Sequence, residues 1–352
     1  MRRRLLLMLL AIAAFVPVSR LMGSLTPRPI KYGVRAKWAW WDEHRQDFEV
    51  LFVGSSATAY GLVPGVFDQS LAARGHPLRS FNFGIGGMTG FEADHMVRQV
   101  LADPPPSLRY LFIEVSDWSP RVYPGKFVYS PRMVYWHTPE MTLDALRACL
   151  TVAEPTQGKD WRPRSAAYHG ELFLRKQTGE GQGEFTVRAL LGRDSEEVLP
   201  GAEDLERLHG YTDLDVIGTE EWAMHRERFL ASFDAYTNRA KALPGGNAAP
   251  IPVSGHYQVR WFEQQIAAAR AAGVQPIFYY APRLASAPLA YRLHEAGVLP
   301  VFFGYNQPDR YPQLYRFQSR FDENHLSRRG ADLFSGLIAN DFADYLDNLT
   351  GE

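Results

Sequence analysis

The chain has 352 residues and a formal net charge of −1, so no bulk charge favours nucleic acid as a partner. Hydrophobic residues make up 46% and charged residues 22%, an ordinary globular balance. A single cysteine, Cys149, excludes an intramolecular disulfide and a cysteine-based zinc cluster.

The N-terminus reads as a targeting segment. Arg2-Arg3-Arg4 precedes an apolar run over 5–18, the pattern of an export signal. The run is short for a full membrane span of roughly 20 residues. No clear small-x-small cleavage site follows it. Residues 1–25 are therefore expected to be a signal anchor, with a cleaved signal peptide as the alternative. The basic side stays cytoplasmic, which places the body outside, in the periplasm of an inner-membrane, single-pass protein or secreted after cleavage. Residues 26–47 read as a connector. Its tryptophans Trp38, Trp40 and Trp41 suit packing on the body as a lid better than a membrane interface.

The first third of the body alternates strand and helix. The apolar run over 48–53 and the short segments 80–83 and 108–115 predict strands, the first two ending in Gly54 and in the cluster Gly84, Gly86, Gly87. Helices are expected over 64–74, opened by Pro64 and closed by Gly75, and over 91–101, closed by Pro104-Pro105-Pro106. The pattern then breaks. Residues 118–252 read as a largely helical and irregular insertion covering the sheet's C-terminal edge. They include a helix-like stretch around Cys149, which reads as a packed small hydrophobe, and one strong helix over 221–243. Regularity returns with a helix over 257–272, a strand over 276–280, a helix over 289–296, a strand over 298–303 and a last helix over 328–346. Five strands with crossover helices predict an α/β, flavodoxin-like, doubly wound parallel sheet, with the domain running from 48 to 352 around the insertion.

In such sheets ligands sit beyond the carboxyl ends of the strands. Gly54-Ser55-Ser56 falls at the end of the first, where a sharp turn exposes a serine hydroxyl and a backbone N–H can face a developing oxyanion. Asn82-Phe83-Gly84-Ile85-Gly86-Gly87 falls at the end of the second, where glycines allow close approach of the backbone. It is no dinucleotide fingerprint, because Thr89 stands where the third glycine is needed. Asp322-Glu323-Asn324-His325 follows the fifth strand and supplies an acid and an imidazole from one turn, the pair that a serine nucleophile requires. Glu114, at the end of the third strand, reads as a buried acid bonded to backbone or to an arginine rather than as a catalytic group. The remaining histidines lack ligand spacing, so no metal is expected, and no cofactor.

Val53-Gly54-Ser55-Ser56, the segment 82–87, and Asp322-x-x-His325-Leu326 with Gly330 resemble the SGNH (GDSL-type) hydrolase superfamily. The similarity spans about residues 48–117 and 257–346. Within it, the chain looks most like membrane-anchored bacterial members linked to acylation of envelope polymers, such as the alginate O-acetylation and teichoic acid D-alanylation proteins. The resemblance implies that Ser56 is the nucleophile, His325 its base and Asp322 the orienting acid. Ser55 then stands where the family usually has Asp. Ser56 and Gly87 would supply oxyanion N–H groups, with Asn82 as a further binding residue. The family's third motif, Gly-x-Asn-Asp, is absent: this chain reads Ile113-Glu114-Val115-Ser116-Asp117-Trp118. Ser116 or a residue of the insertion would have to replace the missing Asn.

The expected function is an exported serine esterase or O-acyltransferase acting on an acylated polysaccharide or other glycan, held at the inner membrane and served by a membrane acyltransferase partner. The alternative is a catalytically weak or inactive envelope protein that keeps the fold to bind glycan or a membrane partner.

Overall fold

The computed structural model describes residues 33–115, 129–151, 161–179, 183–191, 202–243 and 257–351, with isolated positions before residue 29. In chain order the elements are α1 (Val34–His44), β1 (Val50–Gly54), α2 (Ser56–Ala59), α3 (Pro64–Ala73), β2 (Ser80–Gly84), α4 (Gly90–Ala102) and β3 (Tyr110–Glu114). Then come α5 (Pro131–Tyr135), α6 (Pro139–Thr151), α7 (Trp161–Thr178), α8 (Gly183–Leu190), α9 (Ala202–Leu208), α10 (Glu220–Ala231) and α11 (Phe233–Ala242). The chain closes with α12 (Tyr257–Ala271), β4 (Gln275–Tyr280), α13 (Pro288–Glu295), β5 (Phe302–Gly304) and α14 (Arg328–Thr350).

The strands form one parallel sheet in the order β2-β1-β3-β4-β5, the order of the flavodoxin-like doubly wound class. β1, β2 and β3 are buried at every position, and β1 and β3 accordingly read as near-continuous apolar runs, whereas β2 alternates Phe81 and Phe83 with Ser80 and Asn82. Helix α3 packs with α14, and α4 with α12. The core between the sheet and the α3–α14 pair is aromatic: Phe52, Phe67, Phe112 and Phe342 lie ring to ring at 4.8–6.2 Å.

The residues divide into two compact units, Met1–Arg35 with Ser119–Val198, and Ala36–Trp118 with Leu199–Glu352. The expected insertion over 118–252 is thus split. Its first part belongs to the smaller unit, whereas α9, α10 and α11 belong with the sheet because Phe229, Tyr236 and Ala240 join the main core. In the smaller unit, α6 packs on α7, Cys149 is buried with its thiol pKa pushed up to about 11 by burial, and His137 Nε2 lies 3.1 Å from His169 Nδ1.

Two further expectations are corrected. The single helix over 221–243 is two: at Ser232, φ −115° and ψ 15°, the chain leaves helical geometry, and the Ser232 hydroxyl bonds back to the Arg228 carbonyl at 2.8 Å beside its own N–H. The fifth strand begins at Phe302 rather than 298. Gly297, at φ 74°, ends α13 in the left-handed region, and the N–H groups of Val298 and Leu299 fold back onto the Leu293 carbonyl. The connector carries helix α1, and Trp38 and Trp41 are buried against Phe81 and Phe83, packed on the body as expected. The apolar run over 5–18 lies almost wholly outside the described residues. Among the described residues, no helix is long and apolar enough to cross a membrane.

β2 is an edge strand, and its outer side is occupied. The Asn82 N–H donates to the His209 carbonyl at 2.8 Å. The ammonium of buried Lys37, on α1, donates to the carbonyls of Asn82 (3.1 Å), Gly84 (2.7 Å) and Gly210 (2.6 Å). Burial lowers the Lys37 pKa to about 7.

Candidate active site

The site is assembled from the carboxyl ends of β1, β3 and β4 and from the turn that precedes α14. Ser55 ends the β1 turn and caps α2, accepting the Ala57 N–H on its hydroxyl. Ser56 is therefore the first residue of α2, where a backbone N–H has no intrahelical acceptor. Its hydroxyl lies 2.9 Å from His325 Nε2.

The Asp-x-x-His spacing folds on itself for a local reason. Asp322 Oδ1 accepts the backbone N–H groups of Asn324 (2.7 Å) and His325 (2.8 Å), closing a tight turn. That turn brings the His325 ring around so that Nδ1 sits 3.0 and 2.9 Å from the two carboxylate oxygens. With Nδ1 held by the carboxylate, Nε2 faces the Ser56 hydroxyl. The Phe321 N–H donates back to the His325 carbonyl at 3.0 Å, and Arg320 bridges to Leu326.

Two arginines hold this turn from outside. Arg320 is fully buried and donates to the carbonyls of Pro282 (2.8 Å), Asp322 (3.3 Å) and Glu323 (2.6 Å). Arg226, on α10, donates to the carbonyls of Arg320 (2.6 Å) and Phe321 (2.7 Å). Burial of Asp322 would raise its pKa. The His325 ring, its positive charge when protonated, and the two backbone N–H groups outweigh that and hold it at about 2, so the group is a carboxylate.

The imidazole is walled by aromatic rings. Tyr60 and Trp222 meet the His325 ring edge-on at 5.5 and 5.3 Å, over a small apolar cluster of Ala59, Tyr60, Leu214 and Phe321. A second imidazole, His225, is partly exposed with Nδ1 at 3.6 Å from Asp322 Oδ2.

Behind Ser56 lies a buried polar network. Glu114 Oε2 accepts the Ser55 N–H at 2.7 Å and the Thr58 hydroxyl at 2.5 Å, and the Ser55 hydroxyl reaches both carboxylate oxygens at 3.0 Å. The Tyr279 hydroxyl lies 2.6 Å from that of Thr58. Arg283, from the loop after β4, pairs its Nη2 with Glu114 Oε1 at 2.9 Å and also donates to the Ser55 hydroxyl. Gly54 is required here: a Cβ on it would stand 2.0 Å from Thr58 Oγ1 and 2.4 Å from Glu114 Oε2.

The structure brings Ser56, His325 and Asp322 into one hydrogen-bonded chain. It places Glu114 as an acid bound to backbone and to an arginine, as its strand-end position led us to expect. Gly87 is exposed in the turn after β2 with φ 63°, a left-handed conformation that favours glycine. Asn82 is a correction. Its amide donates to the carbonyls of Thr58 (2.8 Å) and Leu62 (2.6 Å), so both donors tie β2 to the segment after Ser56, and its oxygen accepts the Gly84 N–H (2.8 Å). It is fully buried and braces the site rather than binding within it. Ser116, considered as a replacement for the missing Asn, lies outside the described residues. The sequence reading did not find Arg283, Arg320, Arg226, Trp222 or Tyr60. No three acidic, histidine or cysteine side chains among the described residues are grouped to hold a metal. No protein-family model matches the chain, and no curated protein or solved structure does.

Proposed function

We propose that the protein is a serine-nucleophile esterase or O-acyltransferase acting on acyl esters of an envelope or extracellular polysaccharide. One observation carries the reading: the unbroken chain from the Asp322 carboxylate through His325 to the Ser56 hydroxyl, each link at about 3 Å. Ser56 Oγ attacks the ester carbonyl while His325 Nε2 takes its proton. Asp322 stabilises the imidazolium that forms. The N–H groups of Ser56 and Gly87 hold the oxyanion until it collapses and expels the sugar hydroxyl, which takes the proton back from His325. An acyl group then remains on Ser56. Water releases it in an esterase; a second sugar hydroxyl accepts it in a transferase.

The resemblance of the Gly-x-Ser, Gly87 and Asp-x-x-His segments to the SGNH superfamily supports this chemistry. The basic and apolar N-terminus supports export, a membrane anchor and a substrate or acyltransferase partner at the cell envelope. The alternative, a glycan-binding relative without turnover, draws on Glu114 ending β3 ahead of a segment that lacks the family's Asn donor.

The deciding experiment incubates the protein with a serine-reactive phosphonate and maps the adduct by peptide mass. The expected result is one adduct, on Ser56, that is lost in Ser56→Ala. An unmodified Ser56 peptide, together with no release of acyl groups from an acylated glycan, rejects the esterase and transferase readings together.

A further inference from the structure

The third strand ends in an acid, and that acid is buried directly behind the nucleophile. The Glu114 side chain is 2% exposed, and its two oxygens accept four donors: the Ser55 N–H, the Ser55 hydroxyl, the Thr58 hydroxyl and the Arg283 guanidinium. Three of these donors belong to residues 55–58, the segment that carries Ser56. The carboxylate thus binds the turn at the residue before the nucleophile and at the residue two after it. Tyr279 extends the network to β4 through Thr58, and Arg283 closes it from the following loop. Three neighbouring strands are cross-linked through one carboxylate.

Such an acid also has an electrostatic cost. A carboxylate beside the serine opposes the negative charge that grows on the substrate oxygen, and low solvent exposure magnifies that opposition. Arg283 is the cation placed to cancel it. Its side chain is 25% exposed, and its Nη2 spans Glu114 and Ser55 together.

We propose that Glu114 and Arg283 form a positioning pair for the nucleophile turn, in which Glu114 fixes the Ser55–Thr58 backbone and Arg283 neutralises the charge that Glu114 would otherwise direct at the oxyanion. The second half rests on the esterase reading of Ser56; the first does not. It follows that removing the arginine alone is worse than removing both charges, because the single change leaves an unpaired carboxylate at the site.

The test compares full-length wild type with Glu114→Gln, Arg283→Met, Arg283→Lys and the Glu114→Gln/Arg283→Met double variant. Turnover of p-nitrophenyl acetate is normalised to phosphonate-titrated sites, and hydrogen exchange of a peptide covering residues 50–60 is followed by mass spectrometry. Arg283→Met is expected to lose about 100-fold in kcat with KM changed less than about threefold. The double variant is expected to regain about tenfold of that loss, and Arg283→Lys to regain part of it by restoring the charge. Glu114→Gln is expected to speed exchange at residues 55–59 while leaving α14 unchanged. A double variant no more active than Arg283→Met overturns the neutralising role, since a purely structural pair would lose more with each change. Unaltered exchange in Glu114→Gln overturns the positioning role, whether or not any variant turns over. Faster exchange in a protein whose wild type neither labels nor turns over keeps the positioning role and rejects the esterase reading instead.

Discussion

Asp322→Asn tests the site through stability as well as rate. In the folded chain the Asp322 carboxyl is held at about 2, against an ordinary 3.8. The difference, close to two pKa units, corresponds to about 2.5 kcal/mol of stabilisation when the group is ionised, as an order of magnitude. The folded pKa lies below the unfolded one, so this stability is fully present above pH ~4 and is lost as pH falls toward 2, with roughly half gone near pH 3. Asparagine keeps an oxygen for the Asn324 and His325 N–H groups but has no charge to titrate. Urea denaturation of both proteins between pH 6 and pH 3 is expected to show wild type ahead at pH 6 and the gap narrowing by about 1 kcal/mol at pH 3. Turnover of Asp322→Asn is expected to fall by up to about 10⁴-fold, since an amide cannot stabilise the imidazolium. A gap that stays constant across this pH range would refute the inference that His325 and the turn N–H groups hold Asp322 as a buried carboxylate.

Other expectations can be checked with the same protein. Ser56→Ala should abolish phosphonate labelling, whereas Ser55→Ala should leave a slowed reaction, because only Ser56 faces His325; labelling lost only in Ser55→Ala would move the nucleophile by one residue. His325→Ala should cost about as much turnover as Ser56→Ala, and the double variant little more, since the two act as a unit; a double loss equal to the product of the single losses contradicts this. Arg320→Met removes the donor to two buried carbonyls and one partly buried carbonyl and should lower unfolding free energy by about 3–5 kcal/mol, measured by urea denaturation; a loss under about 1 kcal/mol would mean that water replaces the guanidinium.

The sheet was legible because β1 and β3 announce themselves as short apolar runs, and glycines marked where β1 and the alternating β2 end. Alternation of strand and helix then led to the parallel, doubly wound class. The boundary of β5 was misplaced because Val298 and Leu299 look like strand residues while Gly297 turns them back over α13; Pro300 was the available signal for a later start. The break at Ser232 is a departure of one residue's backbone from helical geometry, which apolar periodicity does not register. At the site, Asp322 and His325 could be paired from their spacing since the contact is local. Arg226 and Arg283 could not, because their partners stand 94 and 228 residues away and nothing in their own neighbourhoods distinguishes them from surface arginines. Asn82 was misread for a related reason: a polar residue at a strand end can serve the ligand or the frame, and only its three short bonds to backbone decide between them.

The outer side of β2 has a consequence for how the molecule behaves in company. A parallel sheet exposes two rows of backbone groups, each of which can template another strand. At β5 the row is only three residues long. At β2 it is filled from within: His209 takes the Asn82 N–H, and the Lys37 ammonium takes the carbonyls of Asn82 and Gly84. Lysine suits this task because a compact cation with three donors can face carbonyls that no single N–H could serve together. A methionine at position 37 would fill similar space and leave those carbonyls without a donor, reopening the margin of the sheet to a stray chain. Self-association of such a variant, followed beside the parent by light scattering, is the expected outcome.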